Sequence, residues 1–339
     1  MIADRGWDSV PPYRILQAKG NAMNAPTLSR RDVLKAAAGA LVATRAFGAP
    51  AEERKEKARR NIKLGVHTGP YAGLKVDEAA ARMKDQGFLA VLTEYTFADV
   101  RFDPLEPDWK AARQITAALE RHGLRIAAVF GYVNPIDPDP AQRKRGLEKM
   151  ETLLRNSKRL GCRNVSTETG TLNPKSPWLD SPENATEKTY LACRAALENL
   201  ARAAEKAGAI VSIEPYWRNV IDSIERAERL FREVQSPGLK LVMDPCNYFR
   251  KEDLPRMQPM LAEMFHRLDR QIVVAHAKDV KAAADGTDLP AAGLGVLDYP
   301  LYLRLLVGLD RPIDLIVEHV GLDDVPRARD FVLGQLAKM

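Results

Sequence analysis

Ile210-Val-Ser-Ile-Glu214, Leu239-Lys-Leu-Val-Met-Asp244, Ile272-Val-Val-Ala-His276 and Leu315-Ile-Val-Glu318 decide the reading of this chain. Each is a short apolar run rich in Val, Ile or Leu, the pattern of a strand buried on both faces of a parallel sheet. Each also ends on a side chain that can ligate a metal. In a closed α/β barrel the C-terminal strand ends face one mouth. Glu214, Asp244, His276 and Glu318 at four such ends would therefore surround a single point. Three carboxylates and one imidazole suit one divalent cation, with Mn²⁺, Mg²⁺ or Co²⁺ favoured and Zn²⁺ a further option.

Upstream, the same pattern recurs. Strands are expected at 62–67, 90–93, 125–130 and 163–166. Helices are expected at 75–86, 109–122, 141–160 and 187–207, followed by Gly87, Gly123, Gly161 and Gly208, as helix ends often are. With the four opening runs this makes eight strands alternating with helices, and the expected fold is an α/β (β/α)8 TIM barrel over residues 62–339. A doubly wound open sheet would carry a glycine-rich phosphate loop after its first strand, and Gly65, Gly69 and Gly73 lack that spacing. The highly charged stretch 52–61 reads as a solvated linker or a short lead-in helix.

Residues 1–51 have a different character. Ser29-Arg-Arg-Asp-Val-Leu-Lys35 precedes the weakly apolar Ala36–Ala43, and small residues follow. This resembles a twin-arginine (Tat) signal peptide with an extended n-region. It implies the Tat translocase as a transient partner and a periplasmic or otherwise exported protein. The apolar stretch is too short for a stable membrane span. The whole chain has a formal charge of +6, but residues 1–49 hold seven Lys/Arg against three Asp, so the remainder is nearly neutral. That balance gives no electrostatic case for nucleic-acid binding. Cys162, Cys193 and Cys246 form neither a disulfide framework nor a CxxC pair, and read as buried small apolar residues.

From residue 62 to about 335 the chain resembles the sugar phosphate isomerase/epimerase superfamily of xylose isomerase-like barrels. The matching fragments are Ser-Ile-Glu214-Pro, Val-Met-Asp244-Pro, His276-Ala-Lys278-Asp279, Gly293-Leu-Gly295 and Glu318. The resemblance implies that Glu214, Asp244, His276 and Glu318 bind one divalent metal. It also implies that Glu214 and Glu318 exchange the proton on the substrate carbon, through an enediolate beside a carbonyl. The expected substrate is a small sugar or polyol, and barrels of this family are often homo-oligomers. Asn247 stands where many relatives have a His, and Val220 where some epimerases have a second Glu.

The expected substrate contacts are His67 at the first strand end, Glu168 after the fourth, Trp217, Asn247 and Lys278. Lys278 has the alternative of pairing with Asp279. Tyr71, Tyr216 and Phe249 could stack on a sugar or simply pack under loops. His319 reads as structural and His122 as a helix C-cap. Besides isomerase or epimerase chemistry, the same proton abstraction could expel a β-substituent, giving a lyase or dehydratase acting on a keto-sugar or inosose. A non-catalytic sugar-binding barrel would not need two positioned Glu. An apurinic-endonuclease-like protein would need more His ligands than the five His of this chain supply.

Overall fold

The computed structural model describes residues 51–339 of the 339-residue chain. The twin-arginine segment and its expected cleavage region lie outside the described residues, up to position 50. Eight parallel strands close into a barrel: β1 (Ile62–His67), β2 (Ala90–Thr93), β3 (Arg125–Phe130), β4 (Asn164–Glu168), β5 (Ile210–Glu214), β6 (Leu239–Met243), β7 (Ile272–Ala277) and β10 (Ile313–Val317). β1 closes the ring by pairing with β10 from Ile62↔Ile313 to Val66↔Val317. The two short strands β8 (Lys281–Ala283) and β9 (Gly286–Asp288) form an antiparallel hairpin beyond β7. The sequence reading does not contain this hairpin. Its one signal is the turn pair Asp285-Gly286, a common hairpin dipeptide, and the flanking residues lack an apolar alternation.

The charged stretch before the barrel is a helix, α1 (Ala51–Asn61), the second of the two expected alternatives. It packs against the last two helices of the fold. Ala58 is buried, and Asn61 Nδ2 donates to Val307 O at 3.3 Å. The remaining helices are α2 (Val76–Asp85), α3 (Trp109–Arg121), α4 (Pro140–Arg155), α5 (Glu187–Ala207), α6 (Ile224–Val234), α7 (Met257–Leu268), α8 (Tyr299–Val307) and α9 (Val325–Ala337). α4 stops five residues before its expected end. Asn156 there turns its amide back onto Thr152 O at 2.9 Å, and a tight turn carries the chain to Gly161. α5 ends where expected, with Gly208 at φ 65°, a left-handed cap that glycine adopts without strain. His122 caps α3.

Two apolar shells result. The outer one, between strands and helices, holds most of the core, including Val66, Val91, Val165, Val211, Ile213, Leu241 and Val317. The inner one is small and fills the barrel: Leu92, Ala128, Val242, Val274 and Ile316. Gly65 belongs to this packing rather than to any loop. A Cβ there would meet Ala90 O at 2.6 Å and Ile316 Cδ1 at 2.7 Å. Each fully buried Val, Leu or Ile contributes about 1.5–3 kcal/mol. The inner cluster is thus a floor on which the mouth residues stand.

Candidate functional site

Strand alternation carries the inner shell up to the mouth. Side chains two residues apart share a face. The residue two past each interior position is therefore also turned inward: Gly65 leads to His67, Leu92 to Glu94, Ala128 to Phe130, and Val242 to Asp244. Likewise Val274 leads to His276 and Ile316 to Glu318. Ser166 and Ser212 meet inside the barrel with hydroxyls 3.0 Å apart. Two residues on, Glu168 and Glu214 stand in register on β4 and β5. Every strand so contributes one residue to a ring around the mouth.

The half of this ring from β5 to β10 is a candidate metal site. Glu214, Asp244, His276 and Glu318 each bring a ligand atom to within 4.8 Å of the others. His276 Nδ1 lies 3.3 Å from Glu214 Oε1, 3.5 Å from Asp244 Oδ2 and 3.2 Å from Glu318 Oε2. It is nonetheless directed at none of them as a hydrogen bond and is buried. Donors converging on a point, rather than on one another, are what a metal ion requires. Lys278 Nζ lies 2.8 Å from Asp244 Oδ2 and 2.8 Å from Glu318 Oε1.

Burial opposes charge on Glu214 and Glu318, but His276⁺ and Lys278⁺ outweigh it and hold both carboxyls below the usual carboxylate range. Burial likewise opposes charge on His276 and Lys278, and the surrounding carboxylates outweigh it, holding both well above their ordinary values. Three carboxylates here gather two positive charges, the charge that one divalent cation would bring. The residues fit such an ion, with Glu214, Asp244, His276 and Glu318 as its ligands.

Hydrogen bonds set the two glutamates apart. Glu214 accepts from Asn247 Nδ2 at 2.6 Å on Oε1 and from the Tyr132 hydroxyl on Oε2. Glu318 accepts from Lys278 instead. Burial first, and the Glu214 charge second, push the Tyr132 hydroxyl well up, so it stays a donor. Tyr132 stacks on Phe130 with ring centroids 4.3 Å apart, and Phe130 stacks on His67 at 5.3 Å.

On the other half of the ring, His67 Nε2 lies 2.7 Å from Glu94 Oε1. Glu168 is buried, and its Oε2 has no hydrogen-bond partner among the described residues. Burial, then the nearby Glu214 charge, raise its carboxyl well above the usual range, with Lys149 partly offsetting them. Burial pulls Lys149 down, while Glu94, Asp103 and Glu168 pull the other way.

The expected substrate contacts therefore fall in different places. His67 and Glu168 face the mouth. Asn247 is committed to Glu214. Lys278 is held among the metal carboxylates and not by Asp279, whose side chain accepts from the backbone N–H groups of Val280, Gly293 and Leu297. Trp217 anchors the β8–β9 hairpin, its indole Nε1 donating to Thr287 Oγ1 at 3.2 Å. Tyr71 and Phe249 are buried under loops. His319, at φ 53°, has Nδ1 2.7 Å from Leu289 O, a structural contact. All three cysteines are free and buried.

The sequence does not single out Tyr132, Glu94 or Lys149. Tyr132 had one available signal: it stands two residues past Phe130, on the same face of a strand end. Among the described residues no helix is long and apolar enough to cross a membrane.

The fold recurs in solved structures. A xylose isomerase domain protein from Planctomyces limnophilus is 18% identical, with TM-score 0.62, covering 82% of this chain and 98% of its own. The 3-keto-D-glucoside 4-epimerase of E. coli is 16% identical, with TM-score 0.61, covering 82% and 100%. A xylose isomerase-like TIM barrel protein from Mycobacterium smegmatis in complex with magnesium is 15% identical, with TM-score 0.57, covering 79% and 91%. At these identities the likeness establishes the fold. No curated protein sequence matches the chain. The family model for the xylose isomerase-like TIM barrel matches residues 77–332, and the chain belongs to that family.

Proposed function

We propose that the protein is a divalent-metal-dependent sugar isomerase or epimerase that moves a proton on the carbon beside a carbonyl, with Glu214 and Glu318 as the proton carriers. The observation that carries this reading is a pair of buried glutamates, Glu214 and Glu318, within one four-residue donor set. Two carboxylates permit removal at one and return from the other, and such general acid–base help is worth roughly 10²–10⁴-fold. Tyr132 and Asn247 fix both oxygens of Glu214, and Lys278 holds Glu318. The reacting atoms would thus meet oriented bases. A bound divalent ion would supply Lewis-acid polarisation of the carbonyl and the neighbouring hydroxyl oxygen.

The oxygen-rich donor set favours Mg²⁺, Mn²⁺ or Co²⁺, in line with the magnesium held by the mycobacterial barrel. The E. coli relative, an epimerase of a keto-glucoside, supports a keto-sugar as substrate. The test is incubation of the metal-loaded protein with keto-sugars and inososes in D₂O. Deuterium should enter beside the carbonyl, and Glu214→Gln and Glu318→Gln should each lose this activity. Exchange accompanied by loss of water or of an aglycone would assign elimination instead. No exchange with any ketone would remove the reading.

We also infer export by the twin-arginine route from Arg30 and Arg31. A reporter fused behind residues 1–51 should stop being exported when both are changed to Lys. Unchanged export would contradict the inference.

A further inference from the structure

Glu168 stands apart in the mouth: Asp244 Oδ2 also lacks a hydrogen bond but lies 2.8 Å from Lys278 Nζ, whereas Glu168 Oε2 has neither a hydrogen bond nor an ion pair among the described residues. Asp279 accepts from three backbone N–H groups, Asp314 pairs with Arg125 at the far end of the barrel, and the metal carboxylates share His276 and Lys278. Glu168 is 3% exposed, yet its Oε2 is buried without a partner. It is outside the metal-ligand set. Its neighbours are all fastened. Thr167 Oγ1 accepts from Val133 N at 3.3 Å, and Thr169 accepts from Ile221 N at 3.4 Å and from Cys193 Sγ at 3.1 Å. Thr171 Oγ1 accepts from Asn184 Nδ2 at 2.9 Å and donates to Leu179 O at 3.0 Å. Gly170 lets the loop lie against Asn134 and Pro135, where a Cβ would meet Pro135 Cδ at 2.9 Å. The segment is rigid on both sides of one side chain that it leaves unsatisfied. Buried polar atoms are ordinarily paired, and an exception calls for a ligand or a function.

We propose that Glu168 binds a hydroxyl group of the substrate, on a carbon near the one facing Glu214, and so makes the protein selective for neutral polyhydroxylated ketones. This rests on the proton-transfer reading of Glu214 and Glu318 for the placement of the substrate. Adjacent strands lie about 4.8 Å apart, and Glu168 stands in register beside Glu214. A substrate reaching Glu214 therefore passes within reach of Glu168. A hydroxyl both donates and accepts, so it satisfies a carboxyl in either protonation state. A phosphate or carboxylate at this place would meet the charge of Glu214, and Lys149, the nearby cation, is already divided among Glu94, Asp103 and Glu168. The raised proton affinity of Glu168 agrees with a group that donates to a substrate oxygen.

The test is binding of a keto-hexose and its monodeoxy analogues to metal-loaded wild type, Glu168→Gln and Glu168→Ala, read by calorimetry, with melting temperature and deuterium exchange measured separately. Wild type should bind one monodeoxy analogue about tenfold or more weakly than the parent. Glu168→Ala should lose that discrimination, and Glu168→Gln should keep part of it. Neither variant should melt earlier, because no native hydrogen bond of Oε2 is removed. The proposal is overturned if Glu168→Ala still discriminates, or if it weakens all analogues equally while melting earlier. Wild type that binds none of the series also overturns it. Discriminating binding without deuterium exchange would sink the Glu214/Glu318 reading and leave the Glu168 assignment standing.

Discussion

The two halves of the barrel mouth are built from the same strand geometry and do opposite things with charge. From β5 to β10, four donors crowd to within 4.8 Å and draw in Lys278, and His276 and Lys278 hold the carboxyls of Glu214 and Glu318 below the usual range. From β1 to β4, charges are spread: His67 with Glu94, Lys149 near Glu94 and Glu168, Glu168 Oε2 without a hydrogen bond among the described residues, and the Phe130–Tyr132 ring pair between. Concentrated charge in a low-dielectric site suits a bound cation, and under the proposed function it would also serve proton transfer. A half-satisfied, partly aromatic wall is arranged to meet something that arrives with its own hydrogen-bonding groups. Tyr132 joins the halves, stacking on one and donating to Glu214 in the other.

The sharpest way to break this comparison is in the first half. Glu214→Gln or Glu318→Gln should lower turnover by roughly 10²–10⁴-fold, with the circular dichroism spectrum unchanged. A variant that keeps full turnover would show that its glutamate carries no proton. Next in size is the metal. Adding Mn²⁺ or Mg²⁺ should raise the melting temperature in proportion to the logarithm of ion concentration, as for any ligand of the native state. Asp244→Ala and His276→Ala should abolish that rise, and a rise that survives both would place the ion elsewhere.

At the joint, Tyr132→Phe keeps the ring stack and removes only the hydroxyl. A hydrogen bond to a charged group is worth about 1.5–3 kcal/mol, so kcat should fall by about tenfold or more with KM nearly constant. A change in KM alone would move Tyr132 to substrate binding. The smallest effect belongs to Trp217→Phe, which costs one hydrogen bond to the hairpin, about 1 kcal/mol in a urea titration. Loss of substrate binding there would put Trp217 in the second half of the mouth rather than under the hairpin.

The metal half was legible in the sequence and the other half largely was not, for a physical reason. A ligand at the end of a buried strand announces itself locally, because the apolar run and its last residue are contiguous, as in Ile210–Glu214. The eight strands were readable on the same grounds. Contacts across the barrel leave no such trace: Tyr132 and Glu214 are 82 residues apart, and nothing near either implies the other. The same limit hid the commitment of Asn247 to Glu214 and of Trp217 to Thr287. For residues 52–61 composition left a linker and a lead-in helix both open, because the docking contacts of Ala58 and Asn61 with the barrel are long-range and leave no local pattern.

The central claim is that the metal half exchanges a proton beside a carbonyl. Mass spectrometry of keto-sugars recovered from D₂O tests it most directly, comparing metal-loaded wild type, chelator-treated wild type and Glu214→Gln. The account predicts one deuterium beside the carbonyl with the first and none with the other two. Equal incorporation by Glu214→Gln, or none by metal-loaded wild type across the whole panel, would contradict it.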